Sequence, residues 1–292
     1  MHRRSNVGES LGQDTRGVLY VVATPLGNLE DITLRAVRIL KEVALIACED
    51  TRRTRHLLQA HDISTPTTSY FEHNEKWKGE KILDVVRGGR SAALVSDAGT
   101  PGVSDPGFRL VRDARAEGLP VVPVPGPSAV VAALSVSGLP TDRFVFVGFL
   151  PSRPGARGKA LTELAALRET LVLYESPLRV VATLTDMLAV LGDREVFLCR
   201  EATKLHEEYV RGSTSALIAL LAARSEVKGE IVLVVSGAGE AAPASPDEVA
   251  ATFAALVAAG RTRREAVKET ARRHSLPARA VYAQVLKDEP PP

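Results

Sequence analysis

The chain has 292 residues, of which 45% are hydrophobic and 25% charged, with a formal net charge of +2. That is the composition of an ordinary globular protein, long enough for a sizeable core and for two domains with an appendage. No run approaches the roughly 18 apolar residues of a membrane span, and the polar segment 1–17 lacks the apolar centre of a signal peptide and reads as a disordered lead-in. Cys48 and Cys199 lie far apart and form no C-x-x-C pair, so neither a zinc site nor a disulfide framework is indicated; a bridge brought about by the fold stays open, and a reduced, cytoplasmic setting is favoured.

The first half alternates strands and helices. Residues 18–23 read as a buried strand, and residues 33–43 place Leu34, Val37, Leu40 and Val43 at helical spacing, with Asp31 or Thr33 as N-cap. A strand at 44–48 precedes a short helix at 54–60. A helix at 80–87 leads into a strand at 92–95, and a helix at 107–117 into a strand at 121–124. A helix at 128–137 closes the series. Repeated βα units predict an α/β fold with a mainly parallel, buried sheet.

The pattern changes near Gly138-Leu139-Pro140-Thr141-Asp142, which places a domain boundary at about residue 140. Strands at 144–149, 170–174, 195–199, 208–212 and 230–236 then dominate, with helices at 159–167, 180–191 and 214–224. The last three strands are close enough in sequence to pair antiparallel, giving a mixed sheet over 141–237 beside the parallel sheet of 18–140. Residues 237–246, rich in Gly, Ala and Pro, read as a linker. Helices at 246–259 and within 261–286, turning at Leu276-Pro277, form a small module over 246–287. Eight Lys/Arg against two Glu between Arg261 and Lys287 make it basic.

Four strand ends in the first half open into loops of small and charged residues. These are Ala23-Thr24-Pro25-Leu26-Gly27-Asn28, Cys48-Glu49-Asp50-Thr51-Arg52-Arg53, Ser96-Asp97-Ala98-Gly99-Thr100-Pro101-Gly102 and Pro125-Gly126-Pro127-Ser128-Ala129. The carboxyl ends of parallel strands leave a crevice that holds ligands, so four such loops imply one composite pocket. Asp97, in a Gly/Pro loop, is its best candidate for ligand contact. The loops lack G-x-G-x-x-G and the P-loop's Gly-Lys-Ser/Thr, which disfavours a nucleotide phosphate. No paired His or Cys cluster offers a metal site, and no G-x-S-x-G elbow marks a serine hydrolase.

These loops, followed by Tyr174-Glu175-Ser176-Pro177 and Arg200-Glu201-Ala202-Thr203-Lys204, occur in an order that resembles the bacterial small-subunit ribosomal RNA cytidine 2′-O-methyltransferases. Those belong to the tetrapyrrole-methylase superfamily, the class III S-adenosylmethionine-dependent methyltransferases. The resemblance covers about residues 18–287. It implies a two-domain homodimer with S-adenosyl-L-methionine between the domains, and small-subunit ribosomal RNA as partner. By motif matching, it places Pro25, Leu26, Asp97, Thr100, Ser128, Ala129, Tyr174 and Ala202 at the cofactor. Two positions depart from the pattern: Leu178 and Phe71 stand where relatives commonly carry His, which argues against a histidine base.

A ribose hydroxyl is a poor nucleophile and benefits from a nearby base or cation. The candidates are Glu49, Asp50, Glu175 and Lys204, with Arg52, Arg53 and Arg179 set to hold RNA phosphates. Each has a plainer reading. Glu49 and Asp50 are placed to cap a helix near Thr51, Glu175 and Arg179 have i, i+4 spacing, and Lys204 lies beside Glu207 and Glu208 as a surface pair would. Arg263, Arg264, Arg272 and Arg273 give the helical module the character of a nucleic-acid contact, against a solvated helix face or a dimerisation arm. Two rival functions stay open: a tetrapyrrole methylase of the same fold, and a non-catalytic RNA-binding assembly factor.

Overall fold

The structure is a computed structural model that describes residues 17–71, 73–239, 245–274 and 276–285. The expected lead-in except Gly17, residues 240–244 of the expected linker and the last two residues of the expected module lie outside the described residues. The chain divides into two compact units, residues 1–165 with 169–236, and residues 166–168 with 237–292.

The first unit begins with β1 (Leu19–Val22), α1 (Leu34–Glu42), β2 (Leu45–Cys48), α2 (Thr51–Ala60), β3 (Thr67–Ser69), α3 (Glu75–Arg87), β4 (Ala92–Leu94), α4 (Phe108–Ala116), β5 (Val121–Val124) and α5 (Ala129–Ser137). Five strands form an all-parallel sheet in the order β3-β2-β4-β1-β5. Side chains alternate across it with period two. Leu19, Ala47, Leu94 and Val121 face Ile82, Leu83 and Val86 of α3 and Leu110 of α4. Val22, Ile46, Ala93 and Val124 face Ala36, Ile39 and Leu40 of α1 and Leu58 of α2. Each fully buried Leu or Ile contributes about 1.5–3 kcal/mol, which accounts for the apolar strands on both faces.

Thr33 caps α1, accepting from the Ala36 N–H, so of the two expected caps the threonine serves. Two helices begin earlier than their periodicity suggests. Helix α2 starts at Thr51 rather than 54 because Asp50 caps it, and α3 starts at Glu75 rather than 80. Strand β3 was not expected: Thr67–Ser69 is too short and polar to register as apolar alternation, and it forms the sheet's edge beside β2.

The unit continues with β6 (Phe144–Phe149), α6 (Pro154–Leu164), β7 (Thr170–Glu175), α7 (Val180–Leu191), β8 (Glu195–Arg200), β9 (Glu208–Ser213), α8 (Thr214–Ala222) and β10 (Ile231–Val235). The second sheet runs β6-β7-β10-β8-β9, with β6 and β7 parallel and every other pair antiparallel. Helix α6 opens with Pro154 in its first turn, where a missing N–H costs nothing, five residues before the expected start.

The division expected near residue 140 falls inside this unit. Helix α5, the last of the first βα series, packs Val130, Ala133 and Leu134 against Val172, Phe197 and Val232 of the second sheet. The loop from β5 into α5 therefore carries the chain from one sheet to the other.

The second unit holds α9 (Pro246–Ala258), α10 (Arg263–Arg273) and α11 (Ala278–Val285). Ser245 with Glu248, and Thr262 with Glu265, form reciprocal capping boxes that fix the starts of α9 and α10. Val249, Val267, Ala271 and Val281 make a core of its own, with Phe253, Leu276 and Val285 around it.

Candidate active site

In the first sheet, β1 connects toward β2 on one side while β4 connects to β5 on the other. The strand order thus reverses between neighbouring β1 and β4, and a crevice opens at their carboxyl ends. Thr24 and Gly99 close it at the base through two backbone hydrogen bonds, Thr24 N–H to Gly99 O at 2.9 Å and the reverse at 3.0 Å. Gly99 has φ +76, and a Cβ there would press within 3.3 Å of Leu26 Cδ2, so glycine is the residue this junction accepts. Thr100 Oγ1 donates to Pro127 O at 3.2 Å and ties the third loop to the fourth.

A cavity of about 410 Å³ fills this crevice and extends to the second sheet. All four strand-end loops reach it: Leu26 from the first, Glu49 and Arg53 from the second, Asp97 and Thr100 from the third, Ser128 and Ala129 from the fourth. The second sheet supplies Tyr174, Glu175 and Ala202. Burial pushes the Tyr174 phenol up to about 12, so it stays protonated, and Phe146 and Phe149 meet its ring edge-on at 5.1 and 5.6 Å. Pro25, Asp50, Arg52, Arg179 and Lys204 are not among the lining residues.

Glu49 projects into the cavity, and burial raises its carboxyl above the ordinary range, with the charges of Asp97 and Asp105 adding to the effect. Asp50, one residue on, behaves oppositely. It accepts from the Arg52 N–H at 2.8 Å and from the Arg52 guanidinium at 3.0 Å, and these bonds pull it down to about 2. Asp50 is the helix cap that its sequence position offered as the alternative to chemistry, and it occupies Arg52.

Asp97 accepts from the Asp50 N–H at 3.0 Å and faces Arg53 at 3.4 Å. Glu175 has its side chain 1% exposed and both oxygens engaged. The Ser176 N–H, the Thr183 hydroxyl and the Arg179 guanidinium each reach it at 2.6 Å. Its lone pairs are committed to holding the Ser176-Pro177 rim and Arg179.

Lys204 ties the two sheets together. Its ammonium lies 2.7 Å from Glu201 and 3.2 Å from Glu230, and its stem crosses Gly27 so closely that a Cβ there would run into Lys204 Cγ. Glu201 and Thr203, at φ +53 and +66, hold the loop that aims it. Gly27→Ala is therefore expected to destabilise the fold by about 1–3 kcal/mol through overpacking, and to cost much less in a Lys204→Ala background. Denaturant unfolding of the four proteins of that cycle measures the coupling.

The sequence reading did not single out Asp105 or Glu230, both of which line the cavity. Asp105 is raised by burial and by the Asp97 charge. A signal for it existed: Ser104-Asp105-Pro106-Gly107 repeats the pattern of Ser96-Asp97-Ala98-Gly99 eight residues on. Cys199, also at the cavity, is a free buried thiol, as is Cys48. Among the described residues no group of three or more His, Cys, Asp or Glu is placed to hold a metal ion.

In the second unit, Arg272 and Arg273 both pair with Glu269, at 2.7 and 3.1 Å. Arg263 and Arg264 are exposed on the first turn of α10.

Lining carboxylates outnumber lining cations: Glu49, Asp97, Asp105, Glu175 and Glu230 against Arg53. Arg179 neutralises Glu175, and Lys204 is shared between Glu201 and Glu230, which leaves Glu49, Asp97 and Asp105 facing one arginine. Such a cavity favours a ligand that brings positive charge, and it offers no cradle for phosphate.

Residues 18–218 match the family model of tetrapyrrole (corrin/porphyrin) methylases. The protein named ribosomal RNA small subunit methyltransferase I of Halalkalibacterium halodurans is 46% identical over 277 residues, 92% of this chain and 95% of that protein. Its namesake in Bacillus subtilis is 41% identical over 93% of this chain and 94% of its own. The namesake in Thermotoga maritima is 48% identical over 76% of this chain but 99% of its own length, so a quarter of this chain has no counterpart there. Among solved structures, a cobalt precorrin-4 methyltransferase superposes with a TM-score of 0.58 at 19% identity, over 74% of this chain and 94% of that one. A uroporphyrin-III C-methyltransferase from Thermus thermophilus does so with 0.53 at 23% identity, over 75% and 97%; both show the shared fold. With these matches spanning both sheets and the cavity, the chain belongs to the tetrapyrrole (corrin/porphyrin) methylase family, within the group of proteins named ribosomal RNA small subunit methyltransferase I.

Proposed function

We propose that this protein is the S-adenosylmethionine-dependent methyltransferase that modifies the ribose 2′-hydroxyl of a cytidine in small-subunit ribosomal RNA. One observation carries the reading: the cavity at the strand-order reversal presents Glu49, Asp97 and Asp105 against a single arginine, with no phosphate cradle. A sulfonium ligand bearing an amino group and no phosphate fits that balance of charge. When bound, S-adenosylmethionine supplies a methyl group on cationic sulfur for in-line transfer.

The residues that would hold it are Leu26 and Thr100 with Ser128 and Ala129 on the side of the first sheet, and Tyr174 and Ala202 on the second. Asp97 and Asp105 would meet its positive charge. Pro25, next to the Thr24 bridge, sets the backbone of the first loop. Glu49 takes the proton of the ribose hydroxyl, for which its raised affinity for protons suits it. Arg53 at the cavity, with Arg52 and Arg179 beyond it, would meet the RNA backbone.

The names of the relatives at 41–48% identity favour ribosomal RNA over a tetrapyrrole, since the tetrapyrrole methylases share this fold at only 19–23%. A ribosomal substrate supports a cytoplasmic setting for the protein. Among the described residues no helix is long and apolar enough to cross a membrane. Assembly as a homodimer is part of the same reading. Helix α5 leaves Val131 and Val136 more than half exposed, apolar surface that a second copy could cover. Sedimentation at micromolar concentration tests it, and a monomer there removes it.

The deciding experiment is transfer of labelled methyl from S-adenosylmethionine to purified small ribosomal subunits lacking the modification, with nuclease mapping of the label. Label on one cytidine in an alkali-resistant linkage is the expected result. Cofactor binding without transfer to RNA would overturn it and return the tetrapyrrole reading. In the same assay, changing Arg264, Arg272 and Arg273 together to Ala is expected to weaken RNA binding regardless of sequence and to flatten its dependence on salt. An unchanged salt slope would show that the module of α9–α11 does not contact RNA.

A further inference from the structure

Helix α3 carries Trp77, the single tryptophan of the chain, with 53% of its surface exposed. The buried residues of this helix are Gly79, Ile82, Leu83 and Val86. At about 100° per residue they centre roughly 180° from Trp77, so the indole stands on the solvent face and does nothing for the core.

The charges around it are sorted. Lys78 Nζ and Lys81 Nζ lie 4.8 and 5.0 Å from the ring centroid. The acids of the same helix are occupied elsewhere: Glu80 and Asp84 by Arg87, at 2.7 Å each, and Glu75 by Arg109 at 3.7 Å. Among the described residues no carboxylate pairs with Lys76, Lys78 or Lys81. An exposed indole is thus flanked by two ammonium groups that no carboxylate neutralises, and one of them, Lys78 Nζ, donates to Thr68 Oγ1 at 2.9 Å.

The start of the helix, through Glu75 on the side opposite Trp77, is fastened to a loop of the cavity. Glu75, two residues before Trp77, accepts from the Gly107 N–H at 3.3 Å, and the loop ending at Gly107 contributes Val103, Ser104 and Asp105 to the cavity lining. Gly107 has φ +141, and a Cβ there would come within 2.8 Å of Leu94 Cδ2, so the junction is held in one form. Phe108, the next residue, is 69% exposed.

An aromatic plane flanked by cations is how unpaired nucleic acid is held without regard to sequence: bases stack on the ring and phosphates meet the cations. The two ammonium groups beside the ring favour a polyanion over an apolar protein partner. We propose that Trp77, with Lys76, Lys78 and Lys81, is a platform on which an unpaired base of the RNA substrate stacks while the lysines take the adjoining phosphates. To free the ring face, Lys81 would turn to those phosphates and Lys78 would exchange its bond to the Thr68 hydroxyl for one to phosphate. The proposal rests on the ribosomal RNA reading and adds where the strand runs beyond the reacting ribose.

Because Trp77 is the only tryptophan, intrinsic emission reports on this position alone. Titrating the whole protein with a short unstructured oligoribonucleotide is expected to quench that emission, and the matching duplex to quench it far less. Trp77→Leu should weaken the oligonucleotide by roughly 5- to 150-fold, the range of one base–aromatic stack, with cofactor affinity unchanged as the control for folding. Trp77→Phe should recover most of the loss, and Lys78→Ala with Lys81→Ala should flatten the salt dependence. Emission that stays constant at saturating RNA overturns the platform, and so does an unaltered affinity in Trp77→Leu. Emission that follows protein concentration instead overturns it in favour of contact between copies. Methyl transfer to subunits, measured on the same preparation, separates the two failures: transfer with a silent Trp77 sinks the platform alone, whereas quenching without transfer sinks the methyltransferase reading alone.

Discussion

Glu49→Gln is expected to slow methyl transfer by about 10²–10⁴-fold, the span of a lost general base, while S-adenosylmethionine still binds. The four acid–base candidates differ sharply in what their surroundings leave free. Asp50 is held near 2 by Arg52, which makes it a poor proton acceptor at neutral pH. Glu175 has three donors on its two oxygens, and Lys204 has its ammonium between two carboxylates. Glu49 alone faces the cavity with its affinity for protons raised, by burial first and by Asp97 and Asp105 next. A base must be ionised to act, so wild-type turnover falls as pH drops through that raised pKa. Glutamine keeps the shape but has nothing to titrate, and this acid limb should vanish along with most of the rate. Single-turnover transfer to ribosomal subunits across pH checks both. A Gln variant that keeps the rate, or keeps the limb, would move the proton elsewhere.

The parts of this site legible in the sequence are those written in local chemistry. Four apolar runs, each breaking into Gly, Pro and small or charged residues, marked the four loops that reach the cavity, and Asp97 was singled out from its Gly/Pro setting, where the fold also has it accept from the Asp50 N–H. What escaped depends on contacts remote in sequence. Glu230 lies just before β10, and only the antiparallel register of β10 with β8 sets it against Glu201 and within reach of Lys204. No motif records that pairing. Lys204 shows the same limit. Its sequence neighbours suggested a surface pair with Glu207 or Glu208, whereas the fold delivers it to Glu201, Glu230 and the face of Gly27. Helix α5 reads as part of the first βα series, but it is apolar on nearly every side, so its pattern does not say which sheet it covers. Packing against Val172 and Phe197 decides that. Trp77 carried no local signal: the expected helix began only at residue 80, and the added turn from Glu75 is what sets the indole opposite the buried face.

Glu175→Ala should act on stability first and on the reaction only through the cofactor. The carboxylate accepts from the Ser176 N–H, the Thr183 hydroxyl and Arg179 at 2.6 Å each, with its own side chain 1% exposed. Truncation leaves the Thr183 hydroxyl, on a residue 1% exposed, and the first N–H of the cavity rim without an acceptor. Breaking a fully buried ion pair costs about 3–5 kcal/mol, but Arg179 is 27% exposed and reaches water. The expected loss is therefore about 2–3 kcal/mol, read by denaturant unfolding. Glu175→Gln separates this role from chemistry. The amide oxygen can still accept from Thr183 or from the rim, though not from both as a carboxylate does, and Arg179 loses its counter-charge. The Gln variant should bind S-adenosylmethionine several-fold more weakly because Ser176 and Pro177 line the cavity, yet retain the acid limb of the pH profile that Glu49→Gln removes. If Glu175→Gln erased that limb with affinity intact, the proton would pass through Glu175, and the three donors packed around it would have to release an oxygen during turnover.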